Sequence, residues 1–76
     1  MKDHLRKRSF QLAGHRTSVA LEPAFWAALE AMAVARGGSM AALVASVDAV
    51  RGEVPLASAL RVMALREATA APTSGG

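Results

Sequence analysis

The 76-residue sequence contains no cysteine, which excludes disulfide bonds and thiolate metal ligands. It also contains no apolar run near the roughly 20 residues that a membrane-spanning helix needs. The basic first residues lead into polar positions rather than into a continuous apolar segment, so we expect no secretory signal. These absences favour a cytoplasmic protein that does not act at a membrane.

Acidic residues are scarce at the N-terminal end. Residues 1–16 contain five basic side chains and one acidic side chain, whereas the other 60 residues contain four arginines and five acidic side chains. A basic arm joined to a near-neutral remainder is typical of proteins that bind polyanions. The charge alone is equally consistent with a solvated, solubilising tail.

A chain of 76 residues is near the size at which a single core only marginally holds a fold. We predict a basic flexible arm over residues 1–8, one domain over residues 9–68 and a disordered, small-residue tail over residues 69–76. Because no disulfide is available, we expect association with a second copy to supply the missing stability.

Alternation of apolar and polar residues predicts a strand from His15 to Leu21. Thr17, Val19 and Leu21 fall on one of its faces, and Arg16, Ser18 and Ala20 fall on the other. The strand has no evident partner within the chain, so we expect a second copy to provide one. Residues 9–13 also alternate, and Gly14 indicates either a hairpin turn or a bend within one strand.

Three helices are predicted after this strand. Pro23 suits the first helical position, Gly37 suits a C-terminal cap, and Ser39 suits the N-cap of a second helix. The second helix ends near Arg51 and Gly52, and a third follows Pro55 and continues to about Ala68. Apolar residues recur at helical spacing in all three helices, so each has a face to bury.

The runs Gly14-His15-Arg16-Thr17-Ser18, Leu21-Glu22-Pro23, Phe25-Trp26 and Leu56-Ala57-Ser58-Ala59-Leu60-Arg61 resemble a bacterial subgroup of the ribbon-helix-helix DNA-binding family. The family includes the Arc and MetJ repressors, and the resemblance covers residues 8–65. It implies a mostly α fold with a short β ribbon, built as an intertwined homodimer with an added C-terminal helix. One strand from each chain would form the ribbon that enters the major groove of double-stranded DNA.

The resemblance also implies roles for individual residues. The base-facing ribbon positions are Arg16, Ser18 and Ala20, and the DNA phosphate contacts are Lys7, Arg8, His15, Ser39 and Met40. The dimer core comprises Val19, Leu21, Phe25, Trp26, Leu29, Met32, Leu43, Val44 and Val47. Ala20 departs from the polar residues usual at ribbon positions. Alanine can only touch a thymine methyl group, so it weakens the expectation of direct base readout at this position. A solvated strand face and an ordinary helix cap at Ser39 are the alternatives.

His4 and His15 are the only histidines, which are too few for a typical metal site in a chain without cysteine. The sequence also contains no recognisable pair of residues for acid–base or nucleophilic catalysis. We therefore expect no metal site, no cofactor and no enzymatic activity. The predicted function is that of a dimeric transcriptional regulator, a repressor that binds operator DNA. The alternative is a protein-interaction module, an antitoxin or adaptor, that binds a partner protein.

Overall fold

The computed structural model describes residues 4–70. Two strands come first and three helices follow, in the order β1 (Arg6–Leu12), β2 (His15–Leu21), α1 (Pro23–Ala35), α2 (Met40–Val50) and α3 (Leu56–Ala70). The strands form an antiparallel two-stranded sheet, and the helices pack against one of its faces. No single helix in this part of the chain is long and apolar enough to span a membrane, and α1 with α2 would suffice only as a pair bent by 101°.

Ala13 and Gly14 form the two-residue turn that joins β1 to β2. Their φ angles are 51° and 83°, and Leu12 pairs directly with His15 across the turn. Positive φ at both central residues matches the right-handed twist of the flanking strands. Of the two alternatives at Gly14, the structure therefore has the hairpin. The expectation that the ribbon strand needs a second copy for a partner is wrong, because β1 supplies that partner.

Two predicted boundaries differ from the structure. Arg6, Lys7 and Arg8, assigned to the flexible arm, belong to β1, because their backbone pairs with Val19 to Leu21. The third helix includes Thr69 and Ala70, which were assigned to the tail. The Thr69 hydroxyl donates to the carbonyl oxygens of Leu65 and Arg66 at 3.1 Å. Residues 1–3 and 71–76 of the predicted arm and tail lie outside the described residues.

The core is closed within one chain. Side chains from the inner face of the hairpin and from all three helices are buried together: Leu12, Val19, Leu21, Trp26, Leu29, Met32, Ala33, Leu43, Val44, Val47, Leu56, Leu60 and Ala64. Of the nine residues predicted for a dimer core, eight are in this set and Phe25 is half buried. Their burial therefore does not require a partner chain.

Helix ends follow the local sequence signals. Gly37, at φ 71°, donates its N–H to the Val34 carbonyl at 2.9 Å, and Gly38 donates to the Ala33 carbonyl at 3.0 Å. This pair of bonds is the Schellman motif that ends α1. The Ser39 hydroxyl accepts a hydrogen bond from the Ala42 N–H at 3.0 Å, so Ser39 caps α2 as predicted.

An ion pair fixes α3 against the junction between β2 and α1. Arg61 Nε donates to Glu22 Oε1 at 3.0 Å, and the Arg61 guanidinium lies 5.8 Å from the centroid of the Phe25 ring. A backbone hydrogen bond at Glu22 and donation from Arg61 hold the pKa of this carboxyl below its usual value. The pair links the third helix to the end of β2.

We predict that Ala13→Asn raises the free energy of unfolding by about 1 kcal/mol, because asparagine tolerates positive φ better than alanine. Urea denaturation followed by circular dichroism measures the change. Gly14→Ala is the control and should lower the free energy of unfolding. Because the space around Gly14 is open, this loss of stability would come from the backbone conformation alone and not from a steric clash. A destabilising Ala13→Asn would contradict the two-residue turn.

Candidate functional site

The hairpin has one face that is free of the helices. It carries three cross-strand pairs, Lys7 with Ala20, Ser9 with Ser18, and Gln11 with Arg16, and we call these six side chains the outer face. All are exposed except the half-buried Ala20. The hydroxyl oxygens of Ser9 and Ser18 lie 2.9 Å apart and share a hydrogen bond. The outer face is therefore a small surface of polar and short side chains.

Strand geometry explains why these residues share a face. Successive side chains of a strand point to opposite sides of the sheet, so each strand contributes every second residue. The intervening residues Phe10, Leu12, Val19 and Leu21 point into the core or pack against it. The apolar residues thus fix which side of the hairpin meets the helices, and the polar residues are left on the other side.

The predicted ribbon positions Arg16, Ser18 and Ala20 all lie on the outer face. The structure adds Lys7, Ser9 and Gln11 from β1 beside them. Lys7 had been expected to contact phosphate, but Ser9 and Gln11 were missed. The sequence does contain a signal for them. Residues 9–12 alternate, and the two-residue turn that follows has glycine at its second position, which together predict a hairpin with Ser9 and Gln11 on its polar face.

The outer face is electropositive. The hairpin, residues 6–21, contains four basic side chains and no acidic side chain. Within residues 4–70, neither Lys7 nor Arg16 takes part in an ion pair. Their charges are therefore available to an anionic ligand.

Arg8 is placed differently from Lys7, although the sequence suggested one role for both. Its Nη1 donates to Glu30 Oε2 at 2.8 Å, and its guanidinium lies 4.9 Å from the centroid of the Trp26 ring. These contacts hold the side chain on the helix side of the hairpin. Arg8 is therefore an internal contact between β1 and α1 and is not part of the outer face.

Trp26 anchors the start of β1 from below. Its indole Nε1 donates to the Arg6 carbonyl at 2.7 Å, and its ring lies 6.1 Å from the ring of Phe10, centroid to centroid. Only 3% of Trp26 is exposed, so a residue of α1 supports the strand that carries Lys7. Rigid support of this kind keeps the neighbouring outer-face side chains in position.

The remaining predicted phosphate contacts lie elsewhere. His15 is exposed beside the turn, at the first position of β2. Ser39 and Met40 begin α2, where the Ser39 hydroxyl is used by the cap and the Met40 side chain packs against the core. At this helix start, only backbone N–H groups remain for an anion.

Within the described residues, no three histidine, cysteine or carboxylate side chains come together in a way that could hold a metal ion. The chemistry available on the outer face is hydrogen bonding and attraction of negative charge.

A family model described as a ribbon-helix-helix domain matches residues 5–68 of the chain. The matched segment contains both strands, the first two helices and most of the third. No match was found among curated proteins or among solved structures.

We predict that Trp26→Phe lowers the free energy of unfolding by about 1–3 kcal/mol, because it removes a half-buried hydrogen bond and part of a buried ring. Thermal or urea denaturation measures the loss, and amide hydrogen exchange should show faster opening of β1. Glu30→Gln is the matched control: it weakens an exposed ion pair and should cost less than about 0.5 kcal/mol. Equal losses for the two variants would contradict the anchoring role of Trp26.

Proposed function

This chain belongs to the ribbon-helix-helix domain family, and from that premise we propose that it is a dimeric, sequence-specific DNA-binding transcriptional regulator. Domains of this family generally bind DNA in transcription regulators, typically as dimers. The family is a non-enzymatic one, so the proposal involves binding without a chemical step. Recognition of DNA would then depend on the groups that the hairpin and the start of α2 present to solvent.

The outer face is the observation that carries the proposal. It is a polar, electropositive surface on an antiparallel ribbon, and a two-stranded ribbon fits the major groove, which is about 12 Å wide. No acidic side chain of the hairpin would repel phosphate. The same face has no partner in the core, so its polar composition is not explained by the packing of the chain.

Within this proposal, Arg16, Ser18 and Ala20 face the base edges. An arginine can donate two hydrogen bonds to guanine O6 and N7, and serine can pair with several bases. Ala20 can contact a thymine methyl group. Direct readout would therefore depend chiefly on Arg16. Ser18 and Ala20 would add contacts that discriminate less between bases.

Phosphate contacts would give affinity without sequence preference. Lys7 and His15 are exposed at the two ends of the hairpin and suit this role. The backbone N–H groups at Ser39 and Met40 are suited to it as well, because a helix start attracts anions. Arg8 contributes indirectly, since its contacts with Glu30 and Trp26 hold β1 in place.

The alternative, a module that binds a partner protein, also has an observation in its favour. A groove of about 580 Å³ lies between the C-terminal end of α2 and the middle of α3, and its apolar lining includes Val50, Val54, Val62 and Met63. Val50 is 82% exposed and Val62 is 48% exposed. Exposed apolar side chains that share a groove are typical of protein contacts. The two functions are compatible within one protein.

We predict that Arg16→Ala weakens binding to a preferred duplex by about 10-fold or more, and weakens other duplexes less, because a bidentate guanine contact contributes about 1–3 kcal/mol of discrimination. Lys7→Ala should weaken all duplexes alike and reduce the salt dependence by about one phosphate contact per subunit. Titrations of duplexes selected from a random pool, at two salt concentrations, measure both effects.

Arg66→Ala is the charge-matched control for these variants, because Arg66 lies on α3 beside the groove, and we expect it to leave DNA affinity nearly unchanged. If the unmodified protein shows no salt-dependent affinity for DNA, the regulator proposal fails. If Arg16→Ala weakens every duplex equally, the base-reading role fails while DNA binding stands.

A further inference from the structure

The arginines that follow the hairpin are gathered at the groove between α2 and α3. Residues 22–76 contain four arginines and five acidic side chains. Three of these arginines, Arg36, Arg51 and Arg66, line the groove, whereas Glu67 is the only carboxylate in its lining. They come from the end of α1, the end of α2 and α3, so positive charge reaches the groove from more than one side. A part of the chain with a slight excess of acid therefore has a locally basic surface.

The same groove has exposed apolar walls. Val50 and Val54 belong to the wall at the end of α2, and Ala59, Val62 and Met63 lie on one face of α3 because they are spaced by three and four residues. Val50 is 82% exposed, Val54 47% and Val62 48%. Half of the six large apolar side chains that residues 4–70 expose thus lie in this one groove. Such a concentration of apolar surface is typical of a site that a partner covers.

The three arginines differ in how firmly the chain holds them. Arg51 donates to Asp48 Oδ1 and to the Val54 carbonyl oxygen, each at 2.7 Å. Arg36 donates to Glu67 at 3.2 Å, but both side chains are about half exposed, and an exposed pair of this kind contributes little. Within residues 4–70, Arg66 takes part in no ion pair. Arg66 and Arg36 can therefore donate to carboxylates brought by a ligand.

We propose that the groove binds an amphipathic helix of a partner protein, with apolar side chains along one of its faces and carboxylates beside them. A helix that lays its apolar face between two others is a common mode of recognition. The α3 wall from Ala59 to Arg66 is about 10 Å long, or about two helical turns, so the occupant needs anchors near positions i, i+4 and i+7. The inference rests on the partner-binding function given above as the alternative, and it is independent of DNA binding.

A second copy of the chain does not fit this groove. Two grooves face to face would bring Arg36, Arg51 and Arg66 against the same three arginines. Each helix of the chain contains a single carboxylate, Glu30 in α1, Asp48 in α2 and Glu67 in α3. None of them can place several carboxylates beside an apolar face. Residues 71–76 contain no acidic and no large apolar side chain. The occupant therefore comes from a protein of different sequence.

Small ligands and nucleic acid suit the groove less well. A small-molecule site buries most of its ligand, whereas Val50 is too exposed to enclose one. A phosphate backbone would engage the arginines but would leave the valines in water. No residue of the hairpin lines the groove, so it is separate from the outer face. A chain that holds a partner helix there can still present its outer face to DNA.

A synthetic helical peptide provides the probe. It has about 18 residues, with leucine at spacings of three and four along one face, glutamate on both sides of the leucines and alanine elsewhere. The matched peptide has lysine in place of every glutamate. Fluorescence anisotropy of the labelled peptides against the full chain should show binding of the glutamate peptide, and at least about 10-fold weaker binding of the lysine peptide. Amide chemical shifts should change at Val50, Val54 and Val62 and stay constant at Ser9 and Ser18.

Variants of the chain assign the binding to the groove. Val62→Ser should weaken the glutamate peptide about 10-fold, because one buried valine contact is lost. Val34→Ser is the matched control, since Val34 is 77% exposed on α1 and lies outside the groove lining. Arg66→Glu should weaken the glutamate peptide about 5-fold and strengthen the lysine peptide. A variant that merely damaged the fold would weaken both peptides.

Three results would overturn the proposal. They are the absence of binding by the glutamate peptide, equal binding of the two peptides, and equal effects of Val34→Ser and Val62→Ser. A change in sedimentation of the protein alone on Val62→Ser would show that a second copy covers the groove, and it would overturn the proposal as well. DNA titrations of the unmodified protein are separate from these measurements. DNA binding without peptide binding leaves the regulator standing, and peptide binding without DNA binding leaves the groove standing.

Discussion

The positive φ angles at Ala13 and Gly14 are the constraint on which the rest of the structure depends. They allow a turn of only two residues, and such a turn fixes the register of every pair between β1 and β2. A slip of one residue would exchange the faces of a strand, sending its apolar side chains to water and its polar ones to the core. The local conformation of two small residues thus decides what each surface of the hairpin can do.

Burial and binding are assigned to opposite faces of the same two strands. The inner face is held by contacts that cross long stretches of sequence, such as the indole of Trp26 on the Arg6 carbonyl and the carboxylate of Glu30 on Arg8. The outer face contributes nothing to the core apart from the partial burial of Ala20. Substitutions there can therefore change a ligand preference at little cost in stability.

The hairpin changes the reason for a dimer. A lone ribbon strand would need a second copy for its first set of backbone hydrogen bonds, and a chain without a closed core would need one for stability. Here β1 forms backbone hydrogen bonds with one edge of β2, and the core of one chain is already buried. In the dimer that we propose, a second copy is therefore not needed to close this core.

Features set by neighbouring residues could be read from the sequence alone. Pro23, Gly37 and Ser39 mark helix ends because capping involves residues only a few positions apart, and the alternation from His15 to Leu21 predicts both the strand and its two faces. The family resemblance, which the match over residues 5–68 supports at the level of the domain, comes from the same local runs.

The tertiary structure alone decided which strand pairs with which, because that choice depends on the conformation at Ala13 and on where the helices lie. It also placed Arg8 against Glu30, a contact that local sequence signals do not predict because the two residues are 22 positions apart. It also brought Ser9 and Gln11 beside Arg16 and Ser18. Local signals determine the elements, but contacts between distant residues determine which side chains share a surface.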